Sequence, residues 1–164
     1  MTTRRLFLAG GSLCGVLLGL RAFQAASAGA TTAEAFAVTK TDAEWRRLLS
    51  PLQYAILRQQ ATEPPGSSPL DEEMRPGRYD CVGCANPLFS SKTKFHSGTG
   101  WPSFWQPLAG AVGTSVDKSL FVERTEVHCR RCGGHLGHVF DDGPRPTGLR
   151  YCMNGAVLTF HPAA

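Results

Sequence analysis

Apolar positions are spread unevenly along the chain. Leu6 to Leu20 forms an apolar run of 15 residues that holds Gly10, Gly11, Gly15 and Gly19. A membrane-spanning helix needs roughly 20 mostly apolar residues, so this run is short, and its glycines weaken it. Further on, Thr41-Asp42-Ala43-Glu44 has the spacing of a capping box, with Leu48 and Leu49 following on a helical pattern. Ser50-Pro51-Leu52-Gln53 repeats that signal and predicts a second short helix from Pro51 to about Gln60. The turn-rich stretch from Glu63 to Pro69 stops it. From Arg78 onward the pattern becomes β. Ser119 to Cys129 is rich in β-branched and aromatic residues, and Leu149–Met153 and Ala156–Phe160 are short apolar runs. Asp141-Asp142-Gly143-Pro144 and Pro146-Thr147-Gly148 are turns between them. The pattern predicts an antiparallel sheet core with short N-terminal helices.

Length, 164 residues, fits one domain of the usual size. The formal charge of +4 is concentrated at the start, since residues 1–30 hold Arg4, Arg5 and Arg21 and no acid. The body is nearly neutral and lacks the broad basic surface that phosphate-backbone binding needs, so nucleic acid is not an expected partner. Arg4-Arg5 before the apolar run, and the small-x-small Ala26-Ser27-Ala28 after it, describe an export signal over 1–28. The Arg-Arg-x-Phe-Leu arrangement resembles a twin-arginine signal, which implies a periplasmic protein exported already folded. An uncleaved membrane anchor is the alternative. Residues 29–40 read as a linker, and 41–164 as the folded domain. Cleavage after Ala28 would remove Cys14 and leave five of the six cysteines.

Cys81-x-x-Cys84 and Cys129-x-x-Cys132 are two identical knuckles. Their four thiolates would close a tetrahedral structural Zn2+ site with no open position for a reacting water. The alternatives are two disulfides, which an oxidising compartment permits, or a dithiol redox pair, which would explain one knuckle but poorly two. Ligation by His135 and His138 would leave Cys81 and Cys84 without a role.

The fifth cysteine, Cys152, lies in Arg150-Tyr151-Cys152-Met153-Asn154. On an extended strand Arg150, Cys152 and Asn154 share a face. A guanidinium on that face favours the thiolate, which is the nucleophile. Taken alone, Cys152 reads equally as a small buried hydrophobe. Gly98–Trp105 and Gly133–Phe140 gather aromatics and two imidazoles beside glycines, in what read as irregular segments of the kind that build pockets.

Together these stretches resemble the B-type methionine-R-sulfoxide reductases. The resemblance rests on Arg78-Tyr79-Asp80-Cys81-x-x-Cys84, Lys94 to Phe104, Cys129-x-x-Cys132, His135-Leu136-Gly137-His138-Val139-Phe140-x-Asp142-Gly143-Pro144 and Gly148 to Asn154, in the family's order over roughly residues 41–161. It implies two antiparallel β-sheets in a barrel-like arrangement, with structural zinc held away from the active site. It implies that Cys152 attacks a sulfoxide sulfur and is left as a sulfenic acid. His135, His138 and Asn154 would hold the oxygen or deliver its proton. Trp101, Phe104 and Phe140 would bind the substrate, while Arg150 and Asp142 would orient the histidines and favour the thiolate. The implied partners are proteins or peptides carrying methionine sulfoxide, and a thioredoxin-like or small-thiol reductant; a monomer is the expected state. Thr99 stands where many members carry a resolving cysteine, so an external thiol is expected to reduce the sulfenic acid directly. His96 replaces the family's usual Asp. A zinc-ribbon interaction module is the rival reading, and it leaves Cys152, Trp101 and the histidine pair unexplained.

Overall fold

The computed structural model describes residues 35–164 apart from Phe121. The expected signal over 1–28, the start of the linker and Cys14 lie outside the described residues. Both capping boxes form as read. Thr41 caps helix α1 (Asp42–Leu48), and Ser50 caps helix α2 (Pro51–Gln59), with Glu44 and Gln53 each accepting from the cap backbone N–H. The helices bury Trp45 and Tyr54, Ile56, Leu57 respectively. Among the described residues, no helix is long and apolar enough to cross a membrane. Within the expected linker, Val38 N–H donates to the Arg131 carbonyl at 2.8 Å, and the Phe36 ring meets His128 edge-on. That part of the stretch is seated on the domain.

The remainder is β. Strands β1 (Gly77–Cys81), β2 (Pro87–Ser90), β3 (Lys94–Phe95), β4 (Ser103–Phe104), β5 (Val112–Leu120), β6 (Val122–Cys129), β7 (His135–Phe140), β8 (Arg150–Met153) and β9 (Leu158–Pro162) make two antiparallel sheets. One has the order β2-β1-β9 and the other β3-β4-β8-β7-β6-β5. The expected fold class is therefore observed. The segment 135–140 is a strand with one bulge, not the irregular stretch read from its glycines. Gly137 lets β8 lie close, because a Cβ there would collide with the Cys152 carbonyl oxygen.

Apolar side chains between the layers form one core, including Tyr79, Leu88, Phe89, Val127, Leu136 and Val157. Phe104 belongs to this core as well. Its ring is fully buried, stacked on Phe89 at 4.3 Å and edge-on to Tyr79 at 5.0 Å. It supports β4 from behind and does not line the cavity described below.

Glu63, in the loop after α2, makes the polar tie between distant segments. Its carboxylate accepts from Gly155 N–H at 2.5 Å and Ala156 N–H at 2.9 Å, and its own N–H donates to Asn154 Oδ1 at 2.9 Å. The Glu63 carbonyl accepts from Trp101 Nε1 at 3.1 Å. Glu63 is 2 % exposed, so these donors have no water to fall back on. Glu63→Gln retains one acceptor oxygen and sets an amide NH2 against a backbone N–H. It should lose about 1–3 kcal/mol of stability, read from urea denaturation.

Candidate active site

Cys152 and Asn154 from the β8 segment, His138 and Phe140 from β7, Arg124 from β6, Trp101 and Thr62 from loops, and Gly137 line a cavity of about 120 Å³. Sheet register makes this gathering possible. Cys152 pairs with His138 on one side and Ser103 on the other, and His138 pairs in turn with Glu126. Cross-strand partners share a face of the pleat, so these side chains converge. His135 and His138 are three apart and would ordinarily point to opposite faces. The ladder skips one residue of β7: Val127 pairs with Gly137, but His128 pairs with His135. This bulge turns both imidazoles to one side, with ring centroids 5.3 Å apart.

The two histidines differ in position. His138 lines the cavity, whereas His135 lies behind it, buried, beside Glu126. His138 Nε2 bonds Asp117 Oδ2 at 2.8 Å, and His135 Nδ1 bonds Glu126 Oε1 at 2.8 Å. Asp142, expected to help orient the histidines, does not touch them. It accepts two hydrogen bonds of 2.8 Å from Arg150 Nε and Nη2. Arg150 is itself held over the Phe140 ring, 4.5 Å from its centroid. Asn154 is 2 % exposed, and its amide donates to the Leu136 carbonyl at 3.0 Å while accepting from Glu63 N–H. Asp117, Glu126, Arg124, Thr62 and Glu63 were not found by reading the sequence. Only the strand register shows that Asp117 on β5 faces Arg124 on β6.

The electrostatics oppose one another at the sulfur. Burial pushes the Cys152 thiol above its ordinary value, while the Arg150 guanidinium and the Thr99 hydroxyl pull it down. Burial also lowers His138 below an ordinary imidazole, against the opposing pull of Asp117. Both groups are therefore neutral near pH 7. Asp117 is held far below the carboxylate range by Ser119, His138 and Arg124. Glu126 is lowered to about 2 by His135, with Ser115 adding to it against the cost of burial.

The cysteine knuckles form a separate centre that shares no residue with this cavity. Cys81 Sγ lies 3.8 Å from Cys132 Sγ, and Cys84 Sγ lies 3.6 Å from Cys129 Sγ. All four ligand atoms lie within 4.8 Å of one another, so the cluster could hold a metal ion. Disulfide sulfurs are about 2.05 Å apart, which excludes that pairing here. A tetrahedral ion with metal–sulfur bonds of about 2.3 Å puts its sulfurs about 3.8 Å apart, so the quartet fits one. His135 and His138 are occupied elsewhere, as the spacing of the knuckles suggested.

A depressed carboxylate contributes stability above its unfolded pKa and loses it as pH falls through the folded value. For Glu126 that window runs from 4.5 down to about 2. Glu126→Gln should cost roughly 3 kcal/mol near neutrality, and the gap to the native chain should close across this window. Urea midpoints measured against pH check both statements.

Comparison with known proteins bears on the same residues. The model of the SelR domain matches residues 49–162. A peptide methionine sulfoxide reductase MsrB of Bradyrhizobium diazoefficiens is 55 % identical over 129 residues, covering 76 % of this chain and 91 % of that protein. The proteins of the same name from Leptospira interrogans and Thiobacillus denitrificans are 53 % and 56 % identical, covering 96 % and 94 % of their own lengths and 76 % and 75 % of this chain. The chain belongs to the B-type peptide methionine sulfoxide reductases, and it is an oxidoreductase, a peptide-methionine (R)-S-oxide reductase.

Proposed function

We propose that the chain reduces protein-bound methionine-R-sulfoxide through Cys152. The observation that carries this reading is the register pairing of Cys152 with His138 at the wall of a cavity sized for one small side chain. Trp101 packs its apolar indole face against the substrate's terminal methyl, and its Nε1–H is already committed to the Glu63 carbonyl. Phe140 supplies a second aromatic wall.

As Cys152 attacks the sulfoxide sulfur, its proton passes to neutral His138 and from there to the sulfoxide oxygen. Asp117 steadies the imidazole while it is charged. The protonated oxygen then passes from the methionine sulfur to Cys152 Sγ as the sulfur–oxygen bond and the sulfur–sulfur bond formed on attack both break, so methionine leaves and Cys152 holds the oxygen as a sulfenic acid. Asn154, pinned by Glu63 and Leu136, fixes the backbone that follows the nucleophile. Arg150 favours the thiolate, and Asp142 holds Arg150 in place.

Recycling requires an external thiol. Among the described residues the other cysteines are all in the knuckle cluster, and Thr99 stands beside the Cys152 sulfur. One reductant thiol attacks the sulfenic acid, forming a mixed disulfide and releasing water. A second thiol attacks that disulfide and returns Cys152 as a thiol, leaving the reductant oxidised. Residues 1–28 direct the enzyme to the periplasm, where a thioredoxin-like protein or a small thiol serves.

Zn2+ is the proposed occupant of Cys81, Cys84, Cys129 and Cys132. Bound there it would act structurally, cross-linking the turn after β1 to the turn after β6. Structural zinc is worth on the order of 10–16 kcal/mol in peptides, comparable with the whole stability of a domain at about 5–15 kcal/mol.

Cys152→Ser should lose turnover of resolved R-sulfoxide at least about a thousandfold with dithiothreitol as reductant, at unchanged zinc content. One equivalent of substrate without reductant should leave a sulfenic acid on Cys152 by mass spectrometry, trapped by dimedone. Full activity in Cys152→Ser, or an internal disulfide, would overturn the mechanism. Metal analysis should find about one zinc per chain, and removing it with a strong chelator should unfold the domain, seen as lost near-UV circular dichroism. A metal-free protein that stays folded would remove the zinc assignment.

A further inference from the structure

Thr99 sits between Gly98 and Gly100, whose φ angles of +73° and +87° lie in the left-handed region that favours glycine. This turn brings the Thr99 hydroxyl to 3.9 Å from Cys152 Sγ, within reach of a large, polarisable sulfur acceptor. The hydroxyl does not stand alone. Thr99 Oγ1 lies 2.8 Å from Ser97 Oγ, Ser97 Oγ lies 2.8 Å from Ser103 Oγ, and Ser103 Oγ lies 3.0 Å from the Trp101 carbonyl oxygen. Ser103 is fully buried and is also the register partner of Cys152 on β4.

We propose that Thr99 is a further catalytic residue, whose hydroxyl, backed by Ser97 and Ser103, donates to the Cys152 sulfur whenever that sulfur is anionic. The proposal rests on Cys152 as the reacting sulfur. Each hydroxyl carries one hydrogen, so the chain has a direction. With Cys152 as a thiol, every donor can point away from the sulfur, and Ser103 then donates to the Trp101 carbonyl. When the sulfur loses its proton, the chain reverses: Ser103 donates to Ser97, Ser97 to Thr99, and Thr99 to the thiolate. Aligned hydroxyls polarise one another, so the last donor is stronger than an isolated alcohol. A hydrogen bond to a charged group is also stronger than one to a neutral group.

The charged and titratable groups facing Cys152 leave room for this role. Arg150 on its own strand favours the anion by its charge and by a hydrogen bond to the sulfur, while Asp142 holds its Nε and Nη2. His138 faces it from β7, and Arg124 lines the same cavity from β6 with Nη2 tied to Asp117. Thr99 reaches the sulfur from the loop before β4, as a neutral donor beside these groups. A cysteine at that position would serve as a resolving thiol; a threonine gives the anion a proton donor instead.

The test reads the thiolate directly and does not depend on turnover. The rate at which iodoacetamide alkylates Cys152, followed by mass spectrometry of its peptide in the zinc-loaded protein, is measured from pH 5 to 10 for the native chain and for Thr99→Val, Thr99→Ser and Ser97→Ala. Thr99→Val, near in shape but without a hydroxyl, should shift the midpoint upward by about one pH unit and slow alkylation near pH 7 roughly tenfold. Thr99→Ser should follow the native curve, and Ser97→Ala should shift by less than Thr99→Val in the same direction. A Thr99→Val curve superimposed on the native one overturns the proposal, as does an equal shift in Thr99→Ser. Thr99→Ala, which only removes atoms from a half-exposed position, gives the same readout should the valine variant fail to fold. Failure of the functional reading looks different: turnover would persist in Cys152→Ser, whatever these curves show.

Discussion

In the proposed mechanism the Cys152 sulfur must become an anion, and it is placed where anions are disfavoured. Cys152 is half-buried in the wall of the cavity, beside Trp101 and Phe140. The same burial raises the thiol above its ordinary pKa and leaves it neutral at rest. The surrounding residues reduce that penalty only where it is useful. Arg150 acts through charge and Thr99 through a hydroxyl that, as we propose, turns toward the anion. His138, one strand away, is the proposed place for the proton. On the proposed mechanism, nucleophile and proton acceptor are thus both uncharged before substrate arrives, and the charge separation develops only during attack.

Such an arrangement requires strands that do not drift. The cavity takes its walls from β6, β7, β8 and two loops, so small errors in register would separate the groups. Two ties at different places resist this. Glu63 joins the loop after α2 to the turn after β8 through buried charge-assisted hydrogen bonds, and it carries Trp101 on its carbonyl. The cysteine quartet joins the end of β1 to the end of β6, with Trp45 and Leu57 of the two helices packed against the knuckle glycine Gly83. The short capped helices therefore have a structural task, closing the core over the knuckles, and no chemical one.

Much of this was legible in the sequence, for identifiable reasons. Capping boxes are local, and both helices begin at the residues that Thr41 and Ser50 mark. Cysteine spacing is local too, so the quartet was readable even though 44 residues separate its pairs. The common face of Cys152 and Asn154 followed from strand alternation. The partners of the histidines were not readable. Asp117 and Glu126 lie on β5 and β6, and nothing near them in sequence singles out His138 or His135 as a partner. The bulge that turns His135 and His138 to one side depends on which residue of β6 each one faces. Glycines around the histidines suggested an irregular segment; in the folded chain Gly137 instead permits the close approach of β8. Phe104 read as a substrate contact because it follows Trp101 and Pro102 in one motif. The pleat sends its ring the other way, into the core.

The carboxylates near the site obey one rule, and it explains why Asp142 does not serve the histidines. A free carboxylate facing Cys152 would raise the thiol further; each acid here is held by its own donors, and Asp142 raises the thiol less than Arg150 lowers it. Asp117 accepts from Ser119 N–H, Arg124 and His138. Glu126 accepts from His135, Ser115 and Gln60. Glu63 spends its charge on two backbone N–H groups. Asp142, on the same side as Arg150, is consumed by that guanidinium in a fork of two bonds. Were Asp142 to leave Arg150 for a histidine, the cation nearest the sulfur would lose its anchor, and the histidine would gain a second acid it does not need. Pairing each base with its own acid keeps the cavity close to neutral overall while leaving a positive edge at the one atom that must ionise.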